Sequence, residues 1–378
     1  MINKSTAAKL DWIQALRGIA ALLVVLCHAR QYLSQQTYTP WIESLLLPGA
    51  MGVDLFFIIS GFIMIYSTRN SDGSTTYALN FAIKRFCRIW PVYAAATIIY
   101  IVATNQLTAF INGTASIASF FKSIFFIPVN GLRALFFEPI LPLGWTLDFE
   151  MYFYAIFAVA LLFGRFRLLA LTTWIACTVI ILPAMTQGFS IDPLISYEFQ
   201  AHYLNLIASP IILEFLAGAL IAKLYLATWT TIKSKIVAWN LVASSVCFMI
   251  WYNYSILGVL HGPAQWGASL SLMVLAMAIA SKTVTINAPG FLVWIGEISF
   301  SLYLTHLSTR VLLDIVVLRL GGSAMMSSWS YILLTTVISI AVAGIVHKYL
   351  EIGLSEILRE KIVACINRLK HSRQPVTI

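Results

Sequence analysis

Charge is what this sequence has least of. Only 10% of its 378 residues are Asp, Glu, Lys or Arg, while 60% are hydrophobic, and the mean hydropathy is +0.86. A soluble domain carries about 25% charged and about 45–50% apolar residues. A chain this long with so few charges could not be covered with water-compatible surface, which excludes a soluble globular enzyme and a disordered protein. Cysteine is sparse as well. Cys27, Cys87, Cys177, Cys247 and Cys365 show no C-x-x-C and no paired spacing, so neither a disulfide framework nor a metal site is indicated, and the five read as small buried side chains. Acidic residues are fewer than basic ones, 15 against 24, for a net charge of +9. In an apolar chain that balance points to Lys and Arg in cytoplasmic loops, and no nucleic acid is needed as a partner. Long polar stretches are missing too, so no soluble domain is appended.

What the sequence has is long apolar runs. A hydrocarbon core takes about 20 residues per helix, and runs at roughly 12–33, 45–66, 91–111, 143–163, 168–186, 204–226, 236–252, 265–281, 291–318 and 328–350 supply ten candidates. The expected fold is an all-α integral membrane protein, about ten transmembrane helices around a polar cavity. The first run follows Lys4 and Lys9 and holds Arg17 and His28, which fits a retained signal-anchor helix better than a cleaved signal. With the N-terminus inside, eighteen Lys and Arg fall in inner loops and tails, against Arg30, Lys122, Arg133 and Arg319 outside. Both termini are therefore expected in the cytoplasm. Basic residues alternate with Ile, Leu and Val from Ser355 to Arg373. The chain divides into a transmembrane unit, 1–354, and a basic amphipathic cytoplasmic tail, 355–378, that lies on the bilayer or is solvated.

Ionisable groups at membrane depth are costly and mark functional candidates. Arg17 and His28 are eleven residues apart, three helical turns plus about 20°, and so share one face. Asp54 in the second run, Asp148 and Glu150 in the fourth, and Tyr303 and His306 in the ninth fall at the depth of His28, which predicts a shared polar cavity. A histidine beside a carboxylate suits general-base activation of a hydroxyl, with Asp54 the partner expected for His28; a proton relay in a transporter uses the same residue types. Lys84, Arg85 and Arg88 sit on adjacent turns of an expected interfacial helix. Arg85 and Arg88, at i and i+3, suit phosphate recognition or a positive-inside anchor. Glu214 and Arg310 are left without a place.

Leu16-Arg17-Gly18 through Cys27-His28 resembles the opening of the acyltransferase-3 family of polytopic membrane acyltransferases. The likeness continues in Gly52-Val53-Asp54-Leu55-Phe56-Phe57 with Ser60-Gly61-Phe62, in Arg85-x-x-Arg88 with Trp90-Pro91, in Trp145-Thr146-Leu147 with Glu150, in Phe300-Ser301-Leu302-Tyr303-Leu304-Thr305-His306, and in His347-Lys348-Tyr349-Leu350-Glu351. The resemblance implies transfer of an acyl group, usually acetyl, from cytoplasmic acetyl-CoA to a sugar hydroxyl, without a metal. The acceptor implied is a saccharide of a bacterial exopolysaccharide or other cell-surface glycan, lipid-linked or polymeric, and polysaccharide-assembly proteins are implied as partners. The location implied is the bacterial cytoplasmic (inner) membrane. On this reading His28 is the general base, with Asp54 and Glu150 as catalytic carboxylates; Arg17, Arg85 and Arg88 hold the donor; and Trp145, Tyr303 and His306 contact the acceptor or the oxyanion. The rival reading is a proton-coupled transporter or flippase for a lipid-linked saccharide.

Overall fold

Apolar runs without turn signals fold as helices, and helix is the only regular structure among the described residues, 10–34, 40–113, 116–133, 135–255 and 261–371 of this computed structural model. The longer helices are α1 (Asp11–Ala29), α2 (Gly52–Ser67), α3 (Thr75–Ala103), α4 (Trp145–Leu161), α5 (Arg167–Ile175), α6 (Ile212–Leu226), α7 (Lys235–Ser255), α8 (Trp266–Ala280), α9 (Gly290–Arg319), α10 (Trp329–Val346) and α11 (Ser355–His371). Seven helical stretches among the described residues are long and apolar enough to cross a membrane. They are built on α1, α2, α3, α5, α7, α9 and α10, whereas α4, α6 and α8 have 17, 15 and 15 residues. Exposed apolar side chains such as Trp174, Ile236, Trp251 and Leu333 give α5, α7 and α10 outward faces suited to lipid. The protein is a multi-pass helical membrane protein.

Three boundaries differ from the expected runs, each for a local reason. The run expected at 91–111 belongs to α3, which already starts at Thr75, where Ser74 Oγ accepts from the Tyr77 N–H at 3.1 Å. Lys84, Arg85 and Arg88 therefore lie in one helix with the apolar run rather than in a separate interfacial one. Pro91 sits inside it, a position tolerated where neighbouring helices pack around the lost hydrogen bond. The run expected at 204–226 is split by Pro210, which disfavours helix at the preceding residue: a short helix, His202–Ile207, ends before α6 begins. α10 passes through a π-helical segment, His347–Leu354, directly into α11, while residues 372–378 of the expected tail lie outside the described residues. Of the cysteines, only Cys27 and Cys87 are buried; Cys177, Cys247 and Cys365 are exposed, which corrects the expectation of five buried side chains.

Two glycine-mediated crossings set the frame. A Cβ on Gly296 of α9 would stand 1.9 Å from Gln14 O of α1, and one on Gly218 of α6 would stand 1.8 Å from Ile58 O of α2. Backbone meets backbone at both points, as small residues allow between membrane helices. Phe57, Phe215 and Phe153 then stack across α2, α6 and α4 with centroids 4.6 Å apart in each step. Gly218→Val is expected to force α2 from α6 and destabilise the fold by about 1–3 kcal/mol. Thermal unfolding of the variant in detergent checks this, and an unshifted transition would contradict the crossing.

Candidate active site

The crossing of α2 and α6 turns the other face of α2 inward. Val53, Phe56, Phe57, Ser60, Ile63 and Met64 follow a three–four spacing and line one cavity. Arg17 of α1, Arg85 and Arg88 of α3, Thr146, Glu150 and Tyr154 of α4, and Tyr303 of α9 complete its walls. Along the axis of α2 the lining covers about 16 Å, half a hydrocarbon core.

One end carries three guanidinium groups in different states. Arg17 donates from Nη1 to Gln14 Oε1 at 3.2 Å. Arg85 lies over the rings of Tyr154 and Phe81, at 5.3 and 5.5 Å from their centroids, stacking that suits a planar, weakly hydrated cation. Arg88 is already engaged: its Nη2 and Nε donate to Glu351 Oε1 at 3.2 and 3.3 Å. Glu351 Oε2 in turn accepts from Ser301 Oγ at 2.8 Å and lies 2.8 Å from His347 Nδ1. Arg88 thus ties α3 to α9 and the helix end beyond α10, a tie that the sequence reading of two equal phosphate ligands did not contain. His347 and Glu351, at i and i+4, were legible as a pair, but not as the partner of Arg88.

Midway, Glu150 Oε1 accepts from Ser60 Oγ at 3.2 Å and from the Tyr154 hydroxyl. Further along, the Tyr303 hydroxyl is 3.0 Å from Thr146 Oγ1. The Tyr303 ring leads out of the cavity to His306, 6.3 Å between centroids, and His306 faces His28 at 5.2 Å. His28 Nδ1 is 2.9 Å from Val24 O, and His306 Nδ1 is 2.8 Å from Tyr303 O. A carbonyl only accepts, so Nδ1 bears the proton on both rings and Nε2 is left as the basic nitrogen. His306 Nε2 is buried without a hydrogen-bond partner. Arg310, one turn beyond His306, donates from Nε to the Tyr32 hydroxyl at 3.3 Å.

Asp54 and His28 are not brought together. Asp54 Oδ2 is 2.7 Å from His261 Nδ1, and Oδ1 accepts from the Gly262 N–H at 3.0 Å. The expectation that Asp54 orients His28 is therefore corrected. On α2, Asp54, Ile58 and Gly61 form the stripe that meets α6, where Glu214 lies beside Asp54. Trp145 is likewise turned from the cavity, with its ring on Phe57 at 6.2 Å and on His261 at 5.6 Å; only the next residues, Thr146 and Leu147, reach the lining. Asp148 is buried beside neither histidine, its Oδ1 without a hydrogen bond. The sequence reading also passed over Ser60, Tyr154, Ser301 and His261. Tyr154 sits one helical turn from Glu150, and Ser60 and Ser301 stand inside the quoted motifs without a role given to them; His261, a lone histidine between apolar runs, carried no signal. Among the described residues no group of three or more His, Cys, Asp or Glu side chains converges as a metal site.

The chain is similar to known proteins over nearly all of this architecture. Residues 10–348 match the acyltransferase domain that defines the acyltransferase-3 family. The exopolysaccharide production protein ExoZ of Rhizobium meliloti (strain 1021) is 29% identical over 299 residues, 78% of this chain and 86% of ExoZ. The acyltransferase MdmB of Streptomyces mycarofaciens is 27% identical over 316 residues, covering 79% of this chain and 78% of MdmB. No solved structure matches. With a multi-pass helical fold and a family match that takes in every wall of the cavity, the chain belongs to the acyltransferase-3 family and is a membrane acyltransferase.

Proposed function

We propose that the protein transfers an acetyl group from cytoplasmic acetyl-CoA to a sugar hydroxyl of a bacterial exopolysaccharide or other cell-surface glycan, in the inner membrane. The observation that carries this reading is a cavity with guanidinium groups at one end and Tyr303 at the other, from which the ring chain continues outward through His306 to His28. The naming of ExoZ for exopolysaccharide production supports the acceptor class. In the proposed topology the chain crosses ten times, with α4, α6 and α8 as short crossings, and both termini are cytoplasmic, which sets the Arg17 end inward.

Arg17 and Arg85 take the donor's phosphates, and Arg88 contributes from its tie to Glu351. The thioester lies along the α2 face towards Tyr303. His28 Nε2 removes the proton of the acceptor hydroxyl as its oxygen attacks the thioester carbonyl. Tyr303 donates its O–H to the oxyanion of the tetrahedral intermediate. Collapse breaks the carbon–sulfur bond, and the thiolate leaves with the proton held by His28. Glu150 orients the incoming groups through Ser60 and Tyr154, and His306 contacts the sugar. Asp54 and Trp145 hold the neighbouring wall.

Labelled acetyl-CoA binding to purified protein tests the reading. Arg85→Ala is expected to weaken binding about tenfold or more, the loss of one hydrogen-bonded charge contact, with unfolding temperature unchanged. A folded wild-type protein that binds no acetyl-CoA would overturn the donor assignment and favour a transporter.

A further inference from the structure

A second basic cavity lies at the end of the bundle where α1 begins. It is larger than the first, about 420 Å³ against about 80 Å³, and is built from different elements. Arg69 follows α2, Arg165 and Arg167 flank the turn between α4 and α5, and Lys223 stands in the last turn of α6; Ser71 adds a hydroxyl. On α2 the last lining residue of the first cavity, Met64, and the first of this one, Ile65, are about 100° apart, so α2 divides the two.

The cations here are positioned rather than dispersed. Arg69 donates from Nη1 to Tyr66 O at 3.0 Å, with its guanidinium 4.7 Å from the centroid of the Tyr66 ring. Arg165 is 4.6 Å from the centroid of Phe166. Among the described residues none of the four forms an ion pair, and the carboxylate in the adjoining loop, Asp72, accepts from the Ser74 N–H at 2.9 Å. The loops beside the cavity meet by direct backbone contact: Gly73 and Gly164, at φ +75° and +53°, abut so closely that a Cβ on Gly73 would stand 3.2 Å from Gly164 Cα. A positive-inside bias alone explains Lys and Arg at this end of the helices. It requires neither convergence from three segments nor a cavity between them. Three guanidinium groups and an ammonium around one space make a phosphate receptor.

We propose that this cavity is a second anion site, separate from the Arg17–Arg85 cavity, and that it binds a phosphate ester at the membrane surface. That chemistry has two sources: the headgroup of an anionic phospholipid and the phosphorylated nucleotide end of an acyl-CoA. Purified wild-type protein, Arg69→Gln with Arg167→Gln, and Lys233→Gln with Lys235→Gln as a charge-matched control outside the cavity are compared with two probes. Native mass spectrometry reads retention of added phosphatidylglycerol and cardiolipin; calorimetry reads adenosine 3′,5′-bisphosphate.

The expected result is that the cavity variant loses about tenfold or more in affinity for one probe and the control does not. Loss confined to lipid identifies the headgroup, and loss confined to the bisphosphate identifies the donor. Should the double variant not fold, Lys223→Gln, an exposed change, is expected to give a smaller loss of the same selectivity. Equal losses in cavity variant and control, or wild-type binding of neither probe, would overturn the proposal. So would bisphosphate binding that only Arg85→Ala weakens, an outcome that leaves the donor assignment standing.

Discussion

His28→Ala is expected to lower acyl transfer by about 10²–10⁴-fold, the usual loss on removing a general base, while acetyl-CoA affinity and folding are retained. Donor binding is expected to survive because the guanidinium groups proposed to take the phosphates lie at the end of the cavity away from Tyr303, beyond which His306 and His28 follow. Folding survives because His28 satisfies no buried carboxylate: its Nδ1 is bound to a backbone carbonyl of its own helix, and the nearest expected dependant, Asp54, is held by His261 and Gly262. The variant is therefore a clean test of chemistry. Transfer rate, donor affinity and unfolding temperature are measured on one preparation. An unchanged rate would reject His28 as the base. The second imidazole gives the follow-up, because His306 offers an Nε2 that is buried and unpartnered. A rate that survives His28→Ala but falls in His306→Ala would move the base one step along the same pair.

Depth was legible in the sequence only in part; rotation was not. Counting residues from the ends of apolar runs put His28, Glu150, Tyr303 and His306 in one layer; the structure brings Tyr303, His306 and His28 into one chain of rings, whereas Glu150 meets Ser60 and Tyr154 deeper in the cavity. The same count put Asp54 in that layer, but α2 meets α1 with Gly52 against Ala20 and Val24, inward of His28, and the Asp54 side chain faces α6. A 100° step per residue decides such a facing, and the helix rotation is fixed by the Gly218 approach to Ile58. The signal was present in part: Asp54, Ile58 and Gly61 are spaced as one stripe, and Glu214 and Gly218 as another, so the two glycines mark where the carboxylates meet. His261 was beyond reach, since a residue ahead of α8 arrives there only through tertiary packing. Helix ends show a similar division. Composition located the apolar cores of the spans, but α3 carries three cations within its first half and still runs unbroken; Arg85 and Arg88 turn to the cavity and to Glu351, while Lys84 is exposed.

The largest loss of stability is expected from His261→Ala. Asp54 is fully buried between α2, α6 and α8, with one oxygen on the imidazole at 2.7 Å and the other on a backbone N–H at 3.0 Å. Removing the ring leaves the carboxylate with a single donor in an apolar layer that already holds Glu214. Leaving a buried polar group without its partner typically costs about 1–3 kcal/mol, and more for a carboxylate. Asp54→Asn keeps the shape and the acceptor for Gly262, and its amide still offers a donor to the ring, so a smaller loss is expected. Combining the two changes replaces the stranded carboxyl by an amide and should recover part of what His261→Ala loses, a coupling that a double-mutant cycle reads directly. Because neither side chain lines the cavity, transfer per folded molecule is expected to stay within a few-fold in Asp54→Asn. Unfolding temperature and rate per folded molecule separate the two roles. An Asp54→Asn protein that unfolds like wild type yet has lost transfer by more than about 10²-fold would return Asp54 to the catalytic machinery, and the separation of the two faces of α2 would have to be abandoned.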